Sequence, residues 1–441
     1  MSIHRPSLTA LLLLTVLLLS AMPAHAQLMF GRLVPPPPET QANGPSNAAE
    51  VSGDGRVFVF ESGATNWVPG SITGGKIIAD DFGANTLQVL STTSAGVAFN
   101  ASSFAPSTAG SGRFVVFETL ANNLGVGVST SGFQVVRKDR ASGALALASA
   151  NTGGQPASGS ASGQARNGSV SADGRFVAFR SDASNLLGGS GGNEYIYLKD
   201  LQTGSVELVS RTTSGGFPAG GVAANTAHSM SADARFVLFQ TSAANIVAGV
   251  AGGSILVYLR DRSLGTTELV SVGAGGVPAN SQSDISAISP DGRFVSFRSF
   301  ASNLGGSGTV SRIYVRDRSN ATTAVVPLPS VNGASANGCR ESDVSNSGSA
   351  VLTCFFPALQ DQVFLHVPGQ AGTPFLISSD ANDTPGNQAS GGVVAIDASG
   401  LSMAFESRAT NLEAGDTNAA ADIFILADAA ILDGLFADGF E

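Results

Sequence analysis

Short apolar runs with the alternation of a strand buried on both faces recur along the whole chain. They include Val57-Phe-Val-Phe60, Phe114-Val-Val-Phe117, Phe176-Val-Ala-Phe179, Phe236-Val-Leu-Phe239 and Phe294-Val-Ser-Phe297. Runs of four to eight such residues bounded by turn residues read as buried strands. Each is entered through a tight turn, seen most fully in Ser52-Gly-Asp-Gly-Arg56, Ser171-Ala-Asp-Gly-Arg175 and Ser289-Pro-Asp-Gly-Arg293. Asp-Gly tolerates the positive φ that a two-residue hairpin requires. The turn positions are Gly55, Gly112, Gly174, Ala234, Gly292, Gly348 and Gly400, spaced by 57, 62, 60, 58, 56 and 52 residues. Self-similarity at a fixed period is the mark of a repeat architecture.

Each repeat carries the same parts in the same order. A strand ends at the Asp-Gly turn and the apolar run follows. An Asn-Leu turn comes next, as in Ala121-Asn-Asn-Leu124, Ala183-Ser-Asn-Leu186, Ala301-Ser-Asn-Leu304 and Ala409-Thr-Asn-Leu412. A Gly-rich loop leads to a third strand such as Tyr195–Asp200, and a turn leads to a fourth such as Val206–Ser210. Four short antiparallel strands per repeat predict an all-β, seven-bladed β-propeller. An open solenoid is the competing arrangement. Tandem sandwiches of about 58 residues would each be too small to bury a core.

The chain ends predict how the ring closes. The last repeat has its third strand at Ile423–Leu426 and lacks a fourth. A spare segment, Leu28–Val34, stands before the first turn at the spacing expected of a fourth strand. Pairing of 28–34 with 423–426 would close the ring and remove the open edges that favour aggregation.

Composition narrows the partners. Of 441 residues 43% are hydrophobic and only 13% charged, with 54 Gly and 19 Pro, which suits a large core and excludes a disordered chain or a coiled coil. The net charge of −10 repels phosphate backbones, so nucleic acid is not an expected partner. Residues 1–26 read as a secretory signal: Arg5, an apolar stretch from Leu8 to Met22, and Ala24-His-Ala26 before the cut. The stretch is shorter than the roughly 20 residues of a membrane span. The expected organisation is a signal peptide at 1–26, a propeller at 27–428 and a tail at 429–441 around Leu435 to Glu441, in a soluble monomer that is periplasmic or extracellular.

The repeat Ser-x-Asp-Gly-Arg-Phe-Val-x-Phe, with its Asn-Leu turn and an Asp closing the third strand, resembles the TolB-type, WD-like propeller repeat over roughly 45–428. The resemblance implies a fold more than a function, because family members serve as scaffolds, envelope components, ligand binders and ancillary domains of peptidases. TolB carries an α/β domain before its propeller, for which this chain has no room, so the role of TolB with its lipoprotein partner is not carried over. Such rings often have six blades, whereas seven turns are counted here.

Candidate chemistry is sparse. The expected mature chain has two histidines, His228 and His366. His366 lies in an apolar strand and reads as structural; His228 has no counterpart in other repeats. Gly188-Gly-Ser-Gly-Gly192 matches a nucleophile elbow only formally, since it lies in a loop. Asp416, Asn418 and Asp422 have part of the spacing of a calcium loop, but lack its glycine turn and further carboxylates, and read as an Asx-type turn that starts the third strand. Asp139, Asp200, Asp261 and Asp317 close third strands beside Arg137, Lys199, Arg260, Arg262, Arg316 and Arg318. They read as blade-turn pairing, or else as a ligand-facing ring at one mouth. Cys339 and Cys354 flank one hairpin turn at similar distances, which predicts a disulfide in an oxidising compartment.

No catalytic, cofactor or metal residues are therefore assigned. The expected function is a secreted non-catalytic scaffold for a protein or glycan ligand. The alternatives are a hydrolase or lyase with carboxylates at the channel mouth, and a purely structural surface protein.

Overall fold

The computed structural model describes residues 7–9, 28–39, 41–68, 74–125, 132–158, 165–188, 193–218, 224–357, 359–370 and 372–428. The tail at 429–441 and, apart from Ser7–Thr9, the signal-like segment lie outside them, as does most of 188–192.

Among the described residues seven antiparallel blade sheets follow one another along the chain and contact their neighbours in a closed ring, with a two-stranded ribbon, Ser330–Val331 against Ala334–Ser335, between the fifth and the sixth. Blade 1 is built from Ser46–Val51, Val57–Ser62, Lys76–Asp81 and Thr86–Val89, innermost strand first. Blade 2 (Ser103–Thr108, Phe114–Thr119, Gln134–Asp139, Leu145–Leu147) and blade 3 (Ala165–Val170, Phe176–Ser181, Tyr195–Asp200, Val206–Leu208) repeat the order. So do blade 5, from Ser283 to Val325, and blade 6, from Cys339 to Leu376. Blade 7 takes Ser390–Ile396, Met403–Ser407 and Asp422–Asp428 from the C-terminal end.

The predicted closure is present. Leu28–Arg32 is the fourth strand of blade 7, antiparallel to Asp422–Asp428 with Leu28 opposite Asp428 and Arg32 opposite Phe424. Ser7–Thr9 adds a short strand outside it. Phe30 stacks on Phe424 with ring centroids 5.6 Å apart, so closure buries aromatic surface as well as pairing an edge.

Blade 4 departs from the expected four strands. Among the described residues only Phe236–Thr241, Leu256–Asp261 and Thr266–Leu269 form its sheet. Its innermost segment makes two isolated bridges, Ala224 to Gln240 and Met230 to Val237. Between them the backbone leaves the sheet because residues 225–228 bond to other blades across the hub.

The second strands carry the core. Val59, Phe60, Phe117, Phe179, Phe239 and Phe297 are fully buried, and apolar clusters run from one blade into the next. The turn glycines are needed twice over. Gly174 has φ 69°, and a Cβ there would lie 2.2 Å from the Phe114 ring of the preceding blade.

Cys339 and Cys354 form a disulfide across the inner two strands of blade 6, where they are register partners. Both are buried. The bridge closes a loop of 15 residues, for which chain entropy suggests about 3 kcal/mol. Replacing both cysteines with serine is expected to lower the unfolding free energy by about that amount in denaturant titration. Two reactive thiols in unfolded, unreduced protein would contradict the bridge.

Candidate functional site

The residues that recur are used up in holding the blades. Ser171 Oγ donates to Asp173 Oδ1 (2.6 Å) and accepts the Phe176 N–H (2.9 Å), which fixes the hairpin; Ser231 and Ser289 do the same. The motif arginine then reaches the aspartate that closes the third strand. Arg113, Arg175, Arg235 and Arg293 pair with Asp139, Asp200, Asp261 and Asp317 at 2.7–2.9 Å. These guanidinium partners hold the carboxyls of Asp139, Asp200 and Asp317 well below the usual carboxylate range.

The next basic residue ties each blade to the one before. Arg262 bonds Glu207 and the Ala234 carbonyl and lies 4.5 Å over the Phe176 ring, whose other neighbour is Arg175 at 4.7 Å. Arg318 repeats this with Glu268 and Phe236. The rim charges therefore serve as blade-to-blade fasteners.

The Asn-Leu turns are staples. Asn185 accepts the Ser158 N–H (2.8 Å) and donates to the Pro156 carbonyl (2.8 Å). Asn66, Asn123, Asn303 and Asn411 hold the equivalent linkers in the same way.

What does not recur gathers at the hub. Residues 225–228 of blade 4 cross the central channel and bond to five other blades. The Asn225 amide donates to the Asn167 carbonyl and the Asn167 amide to the Asn225 carbonyl, each at 2.7 Å. Thr226 Oγ1 donates to the Ser286 carbonyl (2.8 Å), Ser107 Oγ donates to the Ala227 carbonyl (2.9 Å), and the Ile288 N–H donates to the His228 carbonyl (3.0 Å).

The His228 ring lies between two carboxylates. Nε2 contacts Glu50 of blade 1, and Nδ1 is 3.1 Å from Asp343 of blade 6. Asp343 also accepts the N–H groups of Val344 and Ile396. Burial alone would lower the imidazole pKa, but Asp343 and Glu50 outweigh it and hold it well above the ordinary value. Burial raises Glu50 against the opposing pull of His228.

Two cavities of the hub, one on each side of this plug, share Ala227 and His228 in their lining. The cup on the Asp-Gly side is small, about 50 Å³, and collared by Val51, Val170, Met230, Ile288, Val344 and Ile396. The opposite cup holds about 230 Å³, and its polar lining includes Glu50, Asn167, His228, Ser286, Glu341 and Ser342.

Around the second cup, acids from neighbouring blades clamp the inner strands. Glu118 accepts the Asn167 N–H (2.7 Å) and Glu406 the Ala48 N–H (3.1 Å); Gln240 does the same for Ile285 (2.7 Å). Glu61 bonds Ala105, yet burial first, and then the nearby Glu406, push its pKa up to about 7. Burial likewise raises Asp422 to about 6.

A raised acid binds its proton more tightly in the folded than in the unfolded protein. Its stabilising contribution is full below the unfolded pKa, near 4.5 for Glu, and is lost as pH rises through the folded value. Denaturant midpoints should therefore fall between pH 5 and pH 8, with Glu61→Gln flattening the slope. A midpoint that rises over that interval in both proteins would contradict this.

The remaining sequence candidates resolve as follows. Asp416 and Asp422 face the guanidinium of Arg32, at 3.4 and 3.0 Å, and Glu413 lies 3.9 Å from it. Asn418 bonds the Ala42 carbonyl. A buried cation from the closing strand thus occupies the place that the calcium reading gave to a metal. His366 ends the third strand of blade 6 opposite Ala350, half-buried, and burial lowers its pKa.

Glu50, Asp343, Glu341 and Arg32 escaped the sequence reading. A signal for two of them was present. Glu50 and Asp343 stand two residues before Ser52 and Ser345, where other blades carry Ser107, Ser169, Ser229, Ala287 and Ala395. A charge in a column of small residues marks the singleton.

Among the described residues no helix is long and apolar enough to cross a membrane. No protein-family model matches the chain, and no curated protein matches it. Solved structures do. The oligogalacturonate lyase of Vibrio parahaemolyticus aligns at TM-score 0.48 and 12% identity over 91% of this chain and 94% of that one. TolB of Acinetobacter baumannii aligns at 0.38 and 13% over 75% of this chain and 65% of its own length. The chain is a seven-bladed β-propeller with TolB proteins among its structural neighbours. The propeller domain of the Trilobed protease from Pyrococcus furiosus, described as having an open velcro topology, aligns at 0.48 and 9%. Here, by contrast, an N-terminal strand closes the last blade.

Proposed function

We propose that this protein is a non-catalytic binding scaffold of the cell envelope or exterior, and that its ligand enters the larger hub cup. The observation that carries this reading is the plug. Both ring nitrogens of His228 are engaged by carboxylates, so the one hub histidine has no free lone pair to act as a base. The same plug floors a cup whose lining includes Glu50, His228 and Glu341, residues that do not recur from blade to blade. Concave sites with a few convergent polar groups are where ligands bind.

The disulfide fits an oxidising compartment. Cleavage after Ala26 would leave Leu28–Arg32 as the first strand of the mature chain, ready to close blade 7.

A thermal-shift screen of saccharides, peptides and small metabolites tests the proposal. A ligand in the cup raises the melting temperature in proportion to its occupancy, and a cup-filling Ser286→Phe abolishes the shift. Turnover of a peptide or oligosaccharide by the pure protein, lost on substitution of Glu341 or Glu50, would replace this reading with the hydrolase or lyase one.

A further inference from the structure

Building on the cup as the binding site, we propose that it takes a small organic cation: a primary ammonium carrying hydroxyl groups, of the amino-sugar or amino-alcohol class. Glu341 is its counter-ion, and Ser286 and Ser342 meet its hydroxyls.

Glu341 opens into the cup. Its basic neighbours are committed elsewhere, Arg340 to Asp361 and Arg298 to Asp284. Among the described residues no Lys, Arg or His comes within ion-pair distance of it. Its side chain is exposed, and burial of the carboxyl among the surrounding protein raises its pKa against the pull of Arg298 and Arg340. A ligand ammonium would supply an opposite charge in direct contact.

The serines give an independent sign. Ser286 and Ser342 are each only 6% exposed, both line the cup, and neither hydroxyl has a hydrogen-bond partner. A buried hydroxyl left unpaired costs about 1–3 kcal/mol, so two at one wall of the cup offer partners to a ligand's hydroxyls.

Charge and size select the class. The lining carboxylates and the net charge of −10 disfavour an anion. The His228 charge is already matched by Glu50 and Asp343 and does not repel a cation. A divalent metal asks for six or more oxygen ligands, and no group of three His, Cys, Asp or Glu is placed to hold one among the described residues. At about 230 Å³ the cup is below the roughly 300–1,000 Å³ of drug-sized sites.

Calorimetric titration of the full chain with glucosamine, ethanolamine, glucose and glucuronate decides the matter. Glucosamine is expected to bind, with glucose weaker by about tenfold or more for want of the charge. Glu341→Gln should cost a similar factor, while Ser286→Ala with Ser342→Ala weakens glucosamine several-fold without lowering the denaturation midpoint. Equal affinity for glucose and glucosamine, or an unchanged Glu341→Gln, would overturn the cation. If Ser286→Phe abolishes binding of glucose or glucuronate, the cup survives as a binding site and only its ligand class is wrong. Silence from all four probes overturns the cation. Silence from the wider screen as well overturns the binding reading beneath it.

Discussion

Replacing Arg32 with Met should destabilise the ring by about 3–5 kcal/mol, the usual cost of removing one partner from a buried ion pair. The guanidinium side chain is 3% exposed and lies among Glu413, Asp416 and Asp422, whose side chains are exposed by 6% or less. Without it three acids would face one another out of water. The substitution also acts where the ring closes, because Arg32 belongs to the strand that joins the two chain ends. Denaturant titration at pH 7.5 should show the loss. At pH 5 the deficit should shrink, because Asp422, with its pKa near 6, is then protonated and no longer needs the cation. Adding Asp416→Asn and Asp422→Asn to the variant should recover much of the stability. An Arg32→Met protein with an unaltered midpoint would mean that strand pairing and aromatic stacking close the ring unaided.

His228→Leu is expected to be comparably severe, at about 3–5 kcal/mol. The leucine would leave Glu50 and Asp343, both nearly inaccessible, as buried carboxylates with no cation between them. It would not disturb the hydrogen bonds made by the backbone of 225–228, so the loss reports on the charge arrangement. Glu50 would take up a proton at low pH and relieve the repulsion, so the deficit should widen as pH rises from 5 to 8. The triple variant Glu50→Gln, His228→Leu, Asp343→Asn should regain most of the midpoint. Equal midpoints for His228→Leu and the parent protein would show that the plug is held by its backbone alone.

These two sites also mark where a linear reading stops. The Asp-Gly turns, the apolar runs and the Asn-Leu staples repeat because each blade solves the same local problem. Repetition made strand order, blade number and the spare strand at 28–34 legible. Pairing of Cys339 with Cys354 was legible too, since both lie at similar distances from one hairpin turn. In the loop of Asp416, Asn418 and Asp422 the turn was legible, with Asn418 accepting the Ala420 N–H, but the partner of its acids was not. Asp422 meets Arg32, some 390 residues away in sequence, and spacing within one loop carries no trace of it.

The hub followed the same rule. Glu50, His228 and Asp343 come from blades 1, 4 and 6 and meet only once the ring has closed. Each stood out in its own repeat, as a charge or an imidazole outside the repeat pattern, but nothing showed that the three meet; even the missing inner strand of blade 4 was invisible, because 225–228 are drawn inward by partners on five other blades. Local sequence determined the turns, the strands and their number, since hairpin geometry and two-sided burial are short-range demands. Which side chains share the axis was decided by closure alone, because it brings together the innermost segments of seven blades that are tens to hundreds of residues apart. That is why the propeller could be read from the chain and its cup could not.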